Sequence, residues 1–531
     1  MSKRVEKTIR VLSSSKGKAA RQAMHFAISS SEPTLSFLAS REVLKTNSPA
    51  GIFEMVKRYN QLTVEQQELL AADVDKLGSP IRMALLNTNP AVQDNAITVI
   101  RKLRPYSLIP LLLQHLELGG SNHLGIVQWA ISLLVNYFYQ EFQGHVPRKA
   151  SYGYTLTEIS DALERGFSTW RRHEREIFFD VFFRLSERFG TLGDEFHEVM
   201  ANPSHPAHAV FNRKLVGSQD LFVLRFLIRQ LESMTAPNSL LVAAARRTDR
   251  VFIRMLLETV GYSPPVTLQE NLAKIRRFDW LNDVRSRLDE LDGGCHRFLV
   301  KLVRYSGMTD DEKLNIYETV LKFGSLAGKT VVVEQLQQVK PPDGNRLILL
   351  ATESDEPEIQ AVALTQLRVR NIKGATSRLL RFIDSPHPAV RKVVAEELTE
   401  FRMDRLLPSL DSLSDEQRDY MLRVIKKIDP KIRETIAREL ENPHQRHKDF
   451  LLNMIQEERT VVTYETSLMK LVESESDLSL RLKAVKLLAF GIHEMSRRFL
   501  KTLADGDGGM EIRILAQRVY EIRNMTLKRE N

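Results

Sequence analysis

Hydrophobic residues along this chain recur at spacings of three and four, and almost no stretch alternates strictly between apolar and polar positions. In HPAVRKVVAEELTEF, Val390, Val394 and Leu398 fall on one stripe of a helix, and in IKGATSRLLRFI, Ile372 and Leu379 fall on another. Such stripes predict amphipathic α-helices. The segment DSPHP separates the two. Because proline fits the first turn of a helix but not its interior, the pair is predicted to form a helical hairpin.

The hairpin pattern recurs along the chain. Each copy contains a polar or Gly/Pro turn, an apolar anchor residue, and then a long polar residue that we call the follower. The clear copies occupy 87–103, 354–367, 384–398, 476–490 and 505–519, and looser copies occupy 414–428 and 442–455. The anchors are Val92, Ile359, Val390, Leu480 and Ile512, and the followers are Gln93, Gln360, Arg391, Arg418, Arg446, Arg481 and Arg513. From 359 onward the anchor positions are 27 to 35 residues apart, which indicates a repeat architecture.

One amphipathic hairpin cannot bury both of its apolar stripes, so neighbouring hairpins must stack to form a continuous core. We therefore expect an all-α solenoid of stacked helical hairpins. The repeated arginines are predicted to form a ladder in which each guanidinium reaches acids or carbonyls of adjacent turns. We interpret this ladder as a device that stabilises stacking rather than one that binds a ligand.

The segments DSPHPAVRKVVAEEL and LADGDGGMEIRILA resemble HEAT repeats, the hairpins of armadillo-like helical solenoids. The resemblance is best over 346–531, fair over 80–140 and only inferred for 150–345, where helices are plentiful but the Val-Arg frame is lost. It implies a right-handed superhelix that acts as a scaffold or adaptor. On this basis the chain divides into a basic, partly disordered arm (1–24), N-terminal repeats (25–150), divergent repeats (151–345) and C-terminal HEAT-like repeats (346–531).

The net charge of +9 is concentrated at the N-terminus. The first 21 residues contain a single acid, and Val5, Ile9 and Leu12 share one side of the predicted helix. This arm is a candidate site for nucleic acid or an anionic membrane surface, or else a loosely ordered, solubilising terminus. It lacks the apolar run of a secretory signal, whereas an organelle transit peptide stays open. Its cations are Lys3, Arg4, Lys7, Arg10, Lys16, Lys18 and Arg21.

Two features bear on the compartment. A single cysteine, Cys295, excludes an intramolecular disulfide and a cysteine-based metal site, and it favours a reducing, cytoplasmic location. Residues 121–140 form an uncharged run long enough to span a membrane. Gln128, Ser132 and Asn136 mark one polar face of this run, so we favour a packed helix of a soluble protein over a membrane span.

The stretch GSLAGKT (324–330) is similar to a phosphate-binding loop, but its glycines are one residue too close together. The preceding residues have helical rather than strand periodicity. We therefore predict a turn between two helices, with Lys329 facing solvent.

Other chemical motifs are weak, and for each we favour a structural interpretation. DGDGG (505–509) departs from a calcium loop and is expected to be a turn in which Asp505 and Asp507 cap the next helix. Adjacent residues on a helix point about 100° apart, so Cys295 and His296 form no nucleophile–base pair. The remaining candidates are histidines 197, 205, 208, 444 and 447 for a metal, and the basic–aromatic segments 168–175 and 275–280 for nucleic acid.

The sequence thus predicts a non-enzymatic, cytoplasmic scaffold or adaptor that binds protein partners through a helical-repeat surface. No catalytic residue, metal, cofactor or small-molecule substrate is expected. The alternative is a nucleic-acid-associated solenoid that uses the basic arm and the Arg-rich middle segment.

Overall fold

A computed structural model describes residues 3–15, 17–120, 123–142, 150–189, 193–410, 412–442, 446–506 and 509–530. Throughout these ranges the regular structure consists of α-helices and short 3-10 helices, without a strand. Helices pack mainly against their near neighbours in the chain, as in an α-solenoid. The predicted all-α class is confirmed, and the right-handed superhelix stays a prediction.

The chain divides into two compact units, Met1–Ile316 and Tyr317–Asn531. The division falls inside one helix and within the segment 151–345 of the sequence-based scheme. The helices of unit 1 are α1 Lys3–Ser14, α2 Lys18–Ile28, α3 Pro33–Lys45, α4 Pro49–Lys57, α5 Val64–Ala72, α6 Gly78–Leu85, α7 Pro90–Leu103, α8 Leu108–Glu117, α9 Leu124–Phe142, α10 Ala150–Ser168, α11 Trp170–His173, α12 Ile177–Leu185, α13 Asp194–Ala201, α14 His208–Gly217, α15 Leu221–Ser233, α16 Asn238–Arg246, α17 Arg250–Val260, α18 Val266–Ala273, α19 Val284–Glu290 and α20 Cys295–Tyr305.

Helix α21, Asp310–Phe323, spans the division. The helices of unit 2 are α22 Leu326–Leu336, α23 Asn345–Thr352, α24 Pro357–Val369, α25 Ala375–Arg381, α26 Pro388–Glu397, α27 Met403–Leu410, α28 Asp415–Ile428, α29 Ile432–Glu441, α30 Lys448–Glu457, α31 Val461–Ser474, α32 Leu478–Leu487, α33 Glu494–Asp505 and α34 Met510–Glu530. The short 3-10 helices are Tyr59–Gln61, Val74–Lys76, Asp279–Asp283, Thr399–Phe401 and Leu488–Phe490.

Several helices begin where the sequence supplies proline or a capping side chain. Pro90 opens α7, and Asn89 Oδ1 accepts a hydrogen bond from the Ala91 amide at 3.0 Å. Thr63 with Gln66, and Ser414 with Gln417, form capping boxes at α5 and α28. Each cap satisfies amide groups that the first turn of a helix leaves unpaired. Local residues therefore set the helix starts that the hairpin pattern requires.

Four of the five predicted anchors are buried: Val92, Ile359, Val390 and Ile512 are at most 3% exposed. Leu480 differs, because it is half-buried at the edge of the unit 2 core. The core of unit 2 is built mainly from leucine, isoleucine and valine. Burial of branched side chains from successive hairpins is the packing expected of a repeat stack.

Five of the seven followers donate hydrogen bonds to carbonyls six to nine residues earlier, at the end of the preceding helix or in the turn after it, whereas Arg446 is exposed. The last carbonyl groups of a helix lack partners within that helix. The side chain of the follower supplies such a partner, while its backbone belongs to the start of the next helix. Arg513 is exposed, and the loop before it includes residues 507–508, which lie outside the described ranges. The bonds are Gln93 Nε2 to Asn87 O (2.7 Å), Gln360 Nε2 to Thr352 O (3.0 Å), Arg391 Nη1 to Ser385 O (2.7 Å), Arg418 Nε to Leu410 O (3.2 Å) and Arg481 Nε to Val472 O (2.8 Å).

A second set of side chains joins successive hairpins, and these residues carry no signal in the repeat frame. Each donates to a backbone carbonyl 29 to 40 residues earlier, about one repeat away. The donors are Lys76, Asn95, Ser107, Ser239, Arg247, Asn271, Lys301, Gln366, Arg370 and Arg523. These side chains bond from one hairpin to the backbone of the preceding one, whereas the followers act within one helix–turn–helix step.

The middle of unit 1 has an aromatic core. Phe182 and Phe196 stack with ring centroids 3.6 Å apart, and further rings surround them. Large rings fill the space between helices that aliphatic residues fill in unit 2, which accounts for the loss of the Val-Arg frame here. The cluster consists of Phe167, Phe179, Phe182, Phe183, Phe196, Phe211 and Phe226.

The prediction for GSLAGKT is confirmed as a helix–turn–helix but is wrong at Lys329. Helix α21 ends at Phe323, and Ser325 caps α22 by accepting from the Gly328 amide. Lys329 then lies in the first turn of α22, 9% exposed, with Nζ 2.7 Å from Glu356 Oε1. It is buried because this turn packs against the N-terminus of α24, where Glu356 supplies its counter-charge.

Candidate binding groove at the N-terminal helices

The described part of the basic N-terminal segment is helical and packed. Helix α1 lies against α2 and α3, with Ile9 3% exposed and Val5 and Leu12 half-buried. Glu6 Oε1 accepts from Arg41 Nη2 at 2.9 Å, which ties α1 to α3. The apolar stripe seen in the sequence is therefore used to fix α1 on the first hairpin of unit 1.

Helices α1 and α2 and the start of α3 line an open groove of about 710 Å³. Helix α1 contributes Val5, Ile9 and Leu12, and α2 contributes Ala23, Phe26 and Ala27. Arg4 and Thr8 also line it. The groove thus has a mainly apolar wall from each helix, with one cationic side chain on the α1 side.

Phe26 is the notable residue of this groove because its side chain is 79% exposed. Burial of a phenylalanine is worth about 1.5–3 kcal/mol relative to exposure in water. The ring lies beside other apolar surface, so a partner that covers the groove gains this energy. This exposure could not be predicted from the sequence, since Ala23, Phe26 and Ala27 have the spacing of an ordinary buried stripe.

Cations outnumber acids on the helices that form the groove, where Glu32 is an exposed acid next to the lining residue Ser31. Exposed cations stand on both helices, and the acid of α1, Glu6, is paired with Arg41. Arg4 lines the groove, whereas helical geometry places Lys7 and Arg10 on the opposite side of α1 from Val5, Ile9 and Leu12. Of the predicted cations, Arg4, Lys7, Arg10, Lys18 and Arg21 are exposed, while the side chain of Lys3 and all of Lys16 lie outside the described residues.

A second cleft, of about 660 Å³, lies on another side of α2 and includes Arg21, His25 and several hydroxyls. The Ser13 and Ser14 hydroxyls donate to carbonyls of α1 at 2.8 and 3.0 Å, and Ser48 caps α4. These hydroxyls are engaged in helix ends, so the cleft offers little beyond its two basic side chains.

The side chains of Cys295 and His296 contact different groups. Cys295 is 3% exposed, and its Sγ donates to Asp292 Oδ2 at 3.3 Å. Burial, with a smaller contribution from this hydrogen bond, raises the pKa of the thiol to about 11, which disfavours the nucleophilic thiolate. His296 Nε2 contacts the Leu288 carbonyl at 3.0 Å.

The histidine and aspartate candidates make local contacts. His205 Nε2 lies 3.1 Å from Glu195 Oε1, and His208 Nδ1 lies 2.7 Å from the Val199 carbonyl. Within the described ranges, no group of three or more His, Cys, Asp or Glu side chains is arranged to hold a metal. Asp505 is the last residue of α33, whereas His444 and Asp507 lie outside those ranges.

In the basic–aromatic segments, some cations are exposed but the aromatic rings are buried. Trp170, Phe278 and Trp280 are at most 2% exposed, while Arg171 and Arg276 are exposed. Stacking on nucleic-acid bases needs an accessible aromatic face, so these segments supply charge alone. Residues 123–140 of the uncharged run belong to α9 and its approach, and none of the described helices has both the length and the apolar composition of a membrane span.

Comparison with known proteins assigns no family. No protein-family model matches the chain, and no curated protein matches it. Among solved structures, the crystal structure of an engineered protein aligns with 95% of this chain and 98% of its own, at 14% identity and a TM-score of 0.13. A score this low supports no inference about the fold.

Proposed function

We propose that this protein is a non-enzymatic scaffold or adaptor built from HEAT-like hairpins in a right-handed superhelix, and that it works in the cytoplasm. It binds a protein partner through the N-terminal groove. The observation that carries the proposal is Phe26, an aromatic ring left 79% exposed in an apolar groove. Exposed aromatic residues next to apolar surface are characteristic anchors of protein interfaces.

The experiment compares Phe26→Glu with Phe490→Glu in the full-length chain. Phe490 is 68% exposed and lies in unit 2, so the second variant makes the same change at a matched surface position. Cross-linking and co-purification from the native host should recover a stoichiometric partner with wild type and with Phe490→Glu. We expect Phe26→Glu to lose that partner; equal recovery with both variants would reject the groove as the binding surface.

A nucleic-acid-associated function is the second candidate, and the exposed cations of α1 and α2 favour it. Phosphate contacts by such side chains give affinity that falls steeply with salt. The groove weakens this candidate, because apolar walls add nothing to a contact with a phosphate backbone. The buried rings of the basic–aromatic segments remove the stacking surface it would use elsewhere.

A further inference from the structure

We propose that the groove between α1 and α2 takes an acidic amphipathic helix of a partner protein. This inference rests on the proposed function and names the chemistry of the partner. It combines the shape of the groove, the position of its one exposed ring, and the sign of the charge around it.

The shape favours a helix. The lining residues of α1 extend from Arg4 to Leu12, a rise of about 12 Å along the helix axis. A partner helix lying alongside presents about two turns over that length, with apolar residues at spacings of three and four. Phe26 projects from α2 among these contacts and supplies the anchor.

The charge favours an acidic partner. Arg4 is the cation that lines the groove, whereas Lys7, Arg10, Lys18 and Arg21 stand on other sides of the same two helices and act on a partner through the longer-range field. These cations outnumber the nearby exposed acid, Glu32, which follows the lining residue Ser31. The acid of α1 is engaged by Arg41. A helix whose polar face carries glutamate or aspartate is therefore attracted to this end of unit 1, and one that carries lysine is repelled.

An anionic membrane fits the surface less well. Docking on a bilayer requires a helix with its apolar face turned outward. Here Ile9 is 3% exposed, and Val5 and Leu12 are half-buried against the hairpin. The large apolar residues of α1 and α2 that stay exposed are Val11 and Phe26, one on each helix, and two separate side chains do not make the continuous outward apolar face that a bilayer requires.

The test uses the full-length protein and a labelled synthetic peptide of about 15 residues, with leucines on one helical face and glutamates elsewhere. Two control peptides replace every glutamate by lysine, or disperse the same leucines around the helix. In fluorescence anisotropy we expect the acidic amphipathic peptide to bind at least about tenfold more tightly than either control.

Variants locate the binding. Phe26→Ala should weaken peptide binding about tenfold, the effect of losing a hot-spot residue, whereas Phe490→Ala should leave it unchanged. Arg4→Glu should weaken binding more than Arg10→Glu, because only Arg4 lines the groove. Circular dichroism and urea midpoints should match wild type, since all four side chains are exposed.

Three outcomes would overturn the proposal. They are equal binding of the lysine peptide, insensitivity to Phe26→Ala, and displacement of the peptide by single-stranded RNA or phosphatidylserine vesicles with equal losses for Arg4→Glu and Arg10→Glu. If a native partner still depends on Phe26 while the acidic peptide fails to bind, the inference falls and the scaffold function stands. If neither depends on Phe26, both fall.

Discussion

At the scale of single residues, Glu465 shows how this stack tolerates buried charge. It lies in α31, is 2% exposed, and accepts from the Ile492 amide at 2.6 Å and from the Ser496 hydroxyl. Arg523 of α34 is its counter-ion, with Nη2 3.8 Å from Oε2. A Cβ at position 491 would approach the Glu465 carboxylate carbon to 2.6 Å, so only glycine fits there.

We expect Glu465→Gln to lower the free energy of unfolding of unit 2 by about 3 kcal/mol, because Arg523 is left as a buried, uncompensated cation. The urea midpoint followed by circular dichroism measures this. Glu494→Gln is the control, since its side chain is 57% exposed and forms its ion pairs with Arg497 and Arg498 at the surface; it should change stability by less than about 1 kcal/mol. Similar midpoints for the two variants would contradict the role given to Glu465.

At the scale of elements, two buried lysines in different hairpins form the same kind of ion pair. Lys329 pairs with Glu356, and Lys448 pairs with Glu475 at 2.5 Å, each acid lying 27 residues after its lysine. Each lysine stands in the first turn of a helix, and each acid lies in the approach to another helix. The pair therefore joins the starts of two helices that are not consecutive in the chain.

We expect the second pair to make the stability of unit 2 depend on pH. The hydrogen bond from Lys448 holds the pKa of Glu475 below its usual 4.5, so the folded state favours the charged carboxyl. The contribution is complete above the unfolded pKa and is lost as pH falls through the folded pKa. The unfolding free energy of the wild type should decrease as the pH is lowered from 6 through the folded pKa of Glu475. It should decrease less steeply for Glu475→Gln. Glu434→Gln, at an exposed position of α29, should retain the wild-type slope.

At the scale of the whole molecule, the hairpins that carry the repeat frame were predictable, because their stripes, turns and caps are local in sequence. Pro388 marks the start of α26, and the stripe through Val390 marks its buried face, both within the local sequence. The aromatic core around Phe182 was not predictable, since rings from several helices meet only after folding. The same holds for Arg247, whose carbonyl acceptor lies in the preceding hairpin, and for the groove beside Phe26, which depends on how α1 packs on α2.

In a repeat stack, a destabilising substitution is expected to affect the helices next to it most strongly. Because each hairpin is stabilised mainly by its neighbours, a substitution in one hairpin should lower the local stability of adjacent hairpins more than that of distant ones. Val390 is fully buried and Val369 is 81% exposed, so the same change to aspartate tests the core and the surface of unit 2. A buried, unpaired carboxylate should cost at least about 3 kcal/mol. We expect Val390→Asp to speed amide hydrogen exchange in α24, α26 and α28, while the aromatic core of unit 1 keeps its protection. Val369→Asp should exchange as wild type does, and a uniform loss of protection across both units in Val390→Asp would show that the chain unfolds as one cooperative block.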